Sequence, residues 1–194
     1  MTNNGDESAV DLALVRRVQN GDKRAFDLLV GKYQLRVNKL VRRLVSDHSE
    51  AQDVVQEAFI KAYRALPNFR GDSAFYTWLY RIAVNAAKNH LVARSRRPPG
   101  DDVDITDGDV EEAGVVVAEL ATPESYAVRD QLQAALTVAL GELPEDLRTA
   151  LTLCEIEGLS YEDIAQVLDC PIGTVRSRIF RARRAVDQKL RPYL

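Results

Sequence analysis

The stretch from Pro171 to Val186, PIGTVRSRIFRARRAV, constrains the fold more than any other. On a helix turning about 100° per residue, Val175, Ile179, Ala182 and Val186 form one apolar stripe. Arg176, Ser177, Phe180, Arg181 and Arg184 lie on the other side, flanked by Arg178 and Arg183. The stripe must bury against other helices. The opposite side is cationic but carries a phenyl ring, which a merely solvated face does not need. A helix in a DNA major groove uses all of these groups: Arg for guanine edges and phosphates, Ser for phosphates or bases, an apolar group for a thymine methyl. The competing reading is an ordinary basic helix with Phe180 buried elsewhere.

The residues before it favour the DNA reading. Ser160-Tyr161-Glu162-Asp163 caps a short helix with Ile164, Ala165 and Leu168 inward, and Asp169-Cys170-Pro171 is a turn. A short capped helix, a tight turn and a second, basic helix make a helix-turn-helix. Upstream, Pro144 suits a first helical position. The helix it opens turns Leu147, Ala150, Leu151 and Cys154 inward, with Gly158 as its C′ residue. A further helix starts near Pro123, with Leu132, Ala135, Leu136 and Leu140 on one face and Gly141 at its end.

The first half is also helical. Residues 1–8 read as a frayed tail, followed by Leu12, Leu14, Val15 and Val18 at helical spacing. Asp22 is an N-cap for a long amphipathic helix. Ser49 to Gln52 read as a capping box, with Ser49 as N-cap of a helix reaching Leu66. That helix points Asp53, Gln56, Glu57 and Lys61 outward. Pro67-Asn68 stops it. Phe69-Arg70-Gly71-Asp72-Ser73 is a short loop that provides the next N-cap. The following helix has a core stripe of Phe75, Leu79, Ile82 and Ala86. Beside it run Trp78, Arg81, Asn85, Lys88 and Asn89, with Tyr76 and Tyr80 on the opposite flank. Rings, cations and amides on one face suit unpaired bases. Equally, the rings suit the core of a small helical domain, and the residues alone leave both readings open.

Net charge is −3, which by itself does not mark a nucleic-acid binder. The charge is segregated, however. Seven Lys/Arg and one acid lie between Arg176 and Arg191, and nine acids with no Lys or Arg lie between Pro98 and Val128. The acidic segment reads as a flexible linker. The expected organisation is all-α: a helical domain over 1–96, a linker over 97–125 and a helix-turn-helix domain over 126–194. Two cysteines and two histidines are too few and too scattered for a zinc site. The cysteines, Cys154 and Cys170, read as reduced thiols of a cytoplasmic protein without a signal peptide or membrane span. No phosphate loop, nucleophile elbow or convincing acid/base pair is present, so catalysis is not expected.

The segments GDKRAFDLLVGKYQ, AQDVVQEAFIKAYRAL, FRGDSAFYTWLYRIAVNAAKNHLVARSRRPP and LPEDLRTALTLCEIEGLSYEDIAQVLDCPIGTVRSRIFRARRAV resemble the extracytoplasmic-function (group IV) sigma factors, in particular the sigma-E (RpoE/AlgU-like) type. The resemblance spans nearly the whole chain except the N-terminal tail and the linker. It implies that the first domain is sigma region 2. Asp53, Gln56 and Glu57 would dock on the β′ clamp helices of core RNA polymerase. Phe69, Arg70, Gly71, Asp72, Ser73 and Ala74 would hold a flipped base of the −10 element, with Trp78, Arg81, Asn85 and Lys88 reading the separated strand. The second domain would be region 4, reading the −35 duplex through Thr174, Arg176, Ser177, Arg178, Phe180 and Arg181 and meeting the β flap. The resemblance further implies control by an anti-sigma factor, membrane-anchored, in envelope stress. It implies no cofactor and no small-molecule substrate. One position departs: the family carries an arginine where this chain has Cys154, which removes a potential −35 contact.

Two other classes compete. A duplex-only helix-turn-helix regulator with a sensor domain has no need of the Trp78–Asn89 face. A nuclease or recombinase needs metal-binding acids or a nucleophile, which the sequence lacks.

Overall fold

The computed structural model describes residues 4–96 and 123–193. Helices α1 (Asn4–Gln19), α2 (Lys23–Arg42), α3 (His48–Ala65) and α4 (Phe75–Ser95) form the first domain. Helices α5 (Pro123–Gly141), α6 (Glu145–Glu155), α7 (Tyr161–Leu168) and α8 (Ile172–Leu190) form the second. Single 3-10 turns lie at Leu66–Asn68 and Arg191–Tyr193, and no strand occurs among the described residues. The expected linker over 97–125 falls outside them, except for residues 123–125, which begin α5.

In the first domain α2 buries Ala25, Leu29, Tyr33, Val37, Leu40 and Val41. The buried face of α3 is made of small residues, Ala51, Val54, Ala58 and Ala62. The N-terminus is more ordered than its polarity suggests, because α1 begins at Asn4 rather than after residue 8. Its Asp11 is 1% exposed. One carboxylate oxygen lies 2.6 Å from Lys32 Nζ, and the other accepts the Tyr33 hydroxyl proton. Lys32 also reaches Glu7 at 3.2 Å. A buried carboxylate is tolerated only with such partners.

Caps account for most boundary differences. Asp22 caps α2 as expected, accepting from the Arg24 and Ala25 amides. Ser49 does not cap α3. Asp47 does, accepting from the Glu50 amide at 2.8 Å, while Ser49 Oγ donates to Asp47 at 2.7 Å. The carboxylate wins because its charge complements the helix N-terminus. These bonds in turn hold the Asp47 carboxyl below the usual carboxylate range, the Glu50 amide contributing most. Neither loop residue before α4 caps it; Ala74 occupies the cap without a side-chain bond. Pro144 is likewise the cap of α6, not its first helical residue.

In the second domain, Leu143, Leu147, Leu151 and Ala182 form a small core under α5 and α8. The turn between α7 and α8 passes through Asp169 in the left-handed region at φ 50, where a short polar side chain is tolerated. The two domains pack on each other through a shared buried cluster. Leu153, Ile164, Val167, Val175 and Ile179 continue the cluster that contains Leu79, Tyr80 and Val84 of α4. Polar bonds fix the docking. Thr77 Oγ1 donates to Asp163 at 3.0 Å, Tyr76 to the same carboxylate at 3.3 Å, and Tyr80 to Glu157 at 2.8 Å. The flank of α4 opposite Trp78 therefore seats the helix-turn-helix.

Candidate nucleic-acid interfaces

On α8 the apolar stripe is buried as its spacing predicts: Val175, Ile179 and Ala182 lie in the core. Burial of each branched side chain contributes roughly 1.5–3 kcal/mol. Phe180 is 62% exposed, which excludes its burial elsewhere and leaves the ring on the outer face. Arg176, Ser177, Arg181 and Arg184 are exposed beside it. Among the described residues, no carboxylate pairs with Arg176, Arg181 or Arg184. Ser177 Oγ donates to the Thr174 carbonyl at 2.9 Å, and Arg181 Nε to the Ser177 carbonyl at 3.4 Å. The Arg181 bond leaves its other guanidinium donors facing outward, whereas Ser177 spends its one hydroxyl proton on the carbonyl and offers only acceptor capacity in this rotamer.

The remaining basic residues of α8 are engaged. Arg178 pairs with Asp146 at 3.1 Å and reaches Cys170 Sγ at 3.6 Å, so it turns toward α6 and away from the outer face. Thr174 is half-buried. Arg183 forks onto Glu155, with one nitrogen 3.9 Å from Cys154 Sγ. Cys154 is half-buried, and burial pushes its thiol above the ordinary value. Arg183 and Glu155 thus occupy the ground beside the departing position.

The second surface centres on the N-terminal end of α4 and the loop before it. Phe69, Phe75 and Trp78 form an aromatic cluster, with centroids 5.0 Å apart for Phe69–Trp78 and 5.7 Å for Phe75–Trp78. Tyr33 extends it beneath Phe75 at 5.6 Å. Phe75 is core, while Phe69 and Trp78 are half-buried. The core reading thus holds for Phe75, and Phe69 and Trp78 keep part of their surface accessible. Gly71 has φ +80, a conformation L side chains rarely adopt, so glycine is required there. Arg70 and Asp72 are exposed, and Ser73 and Ala74 half-buried. Arg81 and Asn85 are exposed along one line of α4, with Lys88 half-buried beyond them.

An open cleft of about 850 Å³ separates this surface from the helix-turn-helix. Asp72, Ser73, Trp78 and Arg81 line one wall; Gln166, Asp169, Cys170 and Pro171 line the other. Asn85, Lys88 and Phe69 lie outside it. On α3, Asp53, Gln56 and Glu57 are exposed together, and Glu57 pairs with Lys61 at 2.6 Å. No group of acids, histidines or cysteines among the described residues is arranged to hold a metal. None of their helices is long and apolar enough to cross a membrane.

Sequence reasoning missed the docking groups Thr77, Tyr80, Glu157 and Asp163. Asp163 read only as a capping residue, which it also is: its amide donates to Ser160 Oγ at 3.0 Å. It missed Asp11 too, which sits among the apolar residues of α1 without a local signal.

A helix-turn-helix with an exposed cationic and aromatic face, joined to a domain with an aromatic, cationic and amide face, defines a promoter-reading transcription factor. The Sigma-70 region 2 family matches residues 29–97, and the Sigma-70, region 4 family matches residues 133–186. The chain is 64% identical over 184 residues to the RNA polymerase sigma-H factor of Pseudomonas aeruginosa, covering 95% of each. It is 56% identical over 188 residues to the ECF RNA polymerase sigma-E factor of Escherichia coli K12, covering 97% of this chain and 98% of that one. Among solved structures it resembles CnrH in complex with the cytosolic domain of CnrY, at TM-score 0.68 and 27% identity over 94% of this chain and 98% of that one. It also resembles the sigma factor RpoE in complex with the anti-sigma factor NepR from Bartonella quintana, at TM-score 0.62 and 28% identity over 86% and 96%. The chain belongs to the extracytoplasmic-function sigma factors of RNA polymerase. It is a specificity subunit and not an enzyme: it binds core polymerase, recognises the −35 and −10 promoter elements and initiates transcription.

Proposed function

We propose that the two surfaces divide promoter reading by the physical state of the DNA. Region 4, residues 126–194, reads the −35 duplex through Arg176, Ser177, Phe180 and Arg181, with Thr174 and Arg178 bracing the helix. Region 2, residues 1–96, captures the −10 strand. Phe69 to Ala74 receive an extruded base, and Trp78, Arg81, Asn85 and Lys88 hold its neighbours. Unstacking a base costs a few kcal/mol, which new stacking and phosphate contacts offset. The supporting observation is the contrast between the faces: arginines without a carboxylate partner among the described residues around an exposed Phe180 on α8, and half-buried rings beside Arg81 and Asn85 on α4.

Core polymerase docks on Asp53, Gln56 and Glu57 through the β′ clamp helices. An apolar groove of about 460 Å³ on region 4, lined by Leu136, Leu140, Leu151, Ile156, Val186 and Leu190, suits an amphipathic helix of the β flap. The solved relatives bound to anti-sigma factors support control of this chain by a protein inhibitor of that kind. We assign the protein to the cytoplasm, held near the membrane when its anti-sigma factor is anchored there, with envelope-stress genes as targets.

Run-off transcription with core polymerase and promoter DNA tests the whole reading. Transcript should appear only when both proteins are present. Asn85→Ala should impair promoter opening and leave core binding intact. DNA binding with no polymerase dependence, and no transcript, would return the chain to the duplex-only regulators.

A further inference from the structure

The loop assigned to the flipped base is not shaped by its own residues alone. Gln19, the last residue of α1, points its side-chain amide at the turn that launches this loop. Gln19 Nε2 lies 3.0 Å from the Leu66 carbonyl oxygen and 3.0 Å from the Phe69 carbonyl oxygen. Both partners are acceptors, so the NH₂ group faces them and each of its protons has one carbonyl. The two carbonyls stand at the ends of the 3-10 turn, and one amide therefore staples the turn closed. The Phe69 amide adds a bond to Leu66 at 3.0 Å from within.

The staple is itself anchored. Gln19 precedes a tight turn in which the Arg17 guanidinium grips Asp22 through Nε at 3.1 Å and Nη2 at 2.8 Å. Asp22 also caps α2. A second link runs from α1 to the same place: buried Asp11 bonds Tyr33, whose ring lies against Phe75, and Phe75 packs on Phe69 and Trp78. A third is steric. Leu12 Cδ2 lies 3.6 Å from where a Cβ on Gly71 would stand.

We propose that Gln19 is a positioning residue for −10 recognition. By fixing the Phe69 carbonyl, it sets the direction in which Arg70, Gly71 and Asp72 leave the turn. It also sets the tilt of the Phe69 ring against Trp78. The loop is then ordered before the strand arrives, and the ordering entropy is not charged to binding. This inference rests on the −10 reading of the loop. It adds a residue from α1, which lies ahead of the span matched to Sigma-70 region 2.

The test uses holoenzyme assembled from core polymerase and the full chain, with labelled non-template −10 oligonucleotides in which each base is replaced in turn. Gln19→Met keeps length and apolar bulk but has no donors. Gln19→Lys restores donors for both carbonyls. Gln19→Met should weaken cognate strand binding roughly tenfold, the scale of two lost neutral hydrogen bonds. It should flatten discrimination at the flipped position, with core affinity and −35 duplex affinity unchanged within about twofold. Gln19→Lys should restore discrimination. The rescue is read from that ratio because an added cation strengthens binding to any strand.

Unchanged discrimination in Gln19→Met overturns the role of Gln19. So do parallel losses in core and −35 affinity, which mark a general stability effect, and so does failure of lysine to restore the ratio. A parent holoenzyme without base preference in the strand overturns the −10 reading itself, a result distinguishable from all three.

Discussion

The two faces proposed to read the promoter, that of α8 and that around Phe69 and Trp78, are built differently. Every outward group on α8 comes from one continuous helix, whose other side supplies its own anchorage in Val175, Ile179 and Ala182. The strand reader is assembled from four places: the Phe69 loop, α4, Tyr33 on α2 beneath Phe75, and Gln19 on α1 behind the loop. A duplex presents a regular groove, so a rigid rod with side chains at fixed spacing suffices. An extruded base needs a concave, ordered receptor, and a concave receptor takes several chain segments.

The comparison can be broken most severely at Phe75. Phe75→Ala removes the ring shared by Tyr33, Phe69 and Trp78 and should cost about 3–5 kcal/mol of stability in urea unfolding. Strand binding should be lost, while −35 duplex binding weakens less: Val175 and Ile179 share the cluster of Phe75, but α5, α6 and α8 keep the separate Leu143–Leu147–Leu151–Ala182 core. Equal loss of both would show that the two readers share one folding unit.

Arg176→Ala is the converse. It should weaken −35 binding by roughly 1–3 kcal/mol and reduce its salt dependence, with strand binding unchanged. Fluorescence anisotropy at several salt concentrations measures both.

The docking between the two readers titrates. Burial, reinforced by Glu157, raises the Tyr80 hydroxyl far above the ordinary tyrosine value of 10.0. A raised pKa in the folded state means the stabilisation is complete below pH 10.0 and disappears as pH climbs through the higher folded value. Absorbance titration should therefore show Tyr80 ionising only with unfolding. Tyr80→Phe should reduce the alkaline loss of stability, leaving the share carried by buried Tyr33, and cost roughly 1.5–3 kcal/mol.

The smallest expected effect is at Cys154. Cys154→Arg should strengthen −35 binding by less than about 1 kcal/mol and steepen the salt slope by about one. The gain is small because Arg183 and Glu155 already fill the adjacent ground. An unchanged affinity and slope would remove Cys154 from any account of −35 preference. Raised by burial, its thiol should also alkylate more slowly than a free thiol at pH 8, as mass spectrometry of labelled protein would show.

What was legible in the sequence was what repeats at a helical period. The eight helices among the described residues, the buried stripe of α8 and the Trp78–Arg81–Asn85 line follow from spacing, because a helix converts sequence interval directly into direction, whereas the exposure of Phe180 needed the packed structure. The boundaries were less legible where two cap residues compete, as Asp47 and Ser49 do, since the choice depends on which side chain reaches the free amides.

The sequence by itself determined an all-α chain and gave each reader its chemistry. The tertiary structure decided the rest. Thr77 and Asp163 are 86 positions apart and Gln19 and Phe69 are 50 apart. No local pattern encodes such pairs, because they arise only when packed apolar faces bring distant polar groups within hydrogen-bond reach. For the same reason, α8 could be read from one stretch of residues, and the receptor around Phe69 could not.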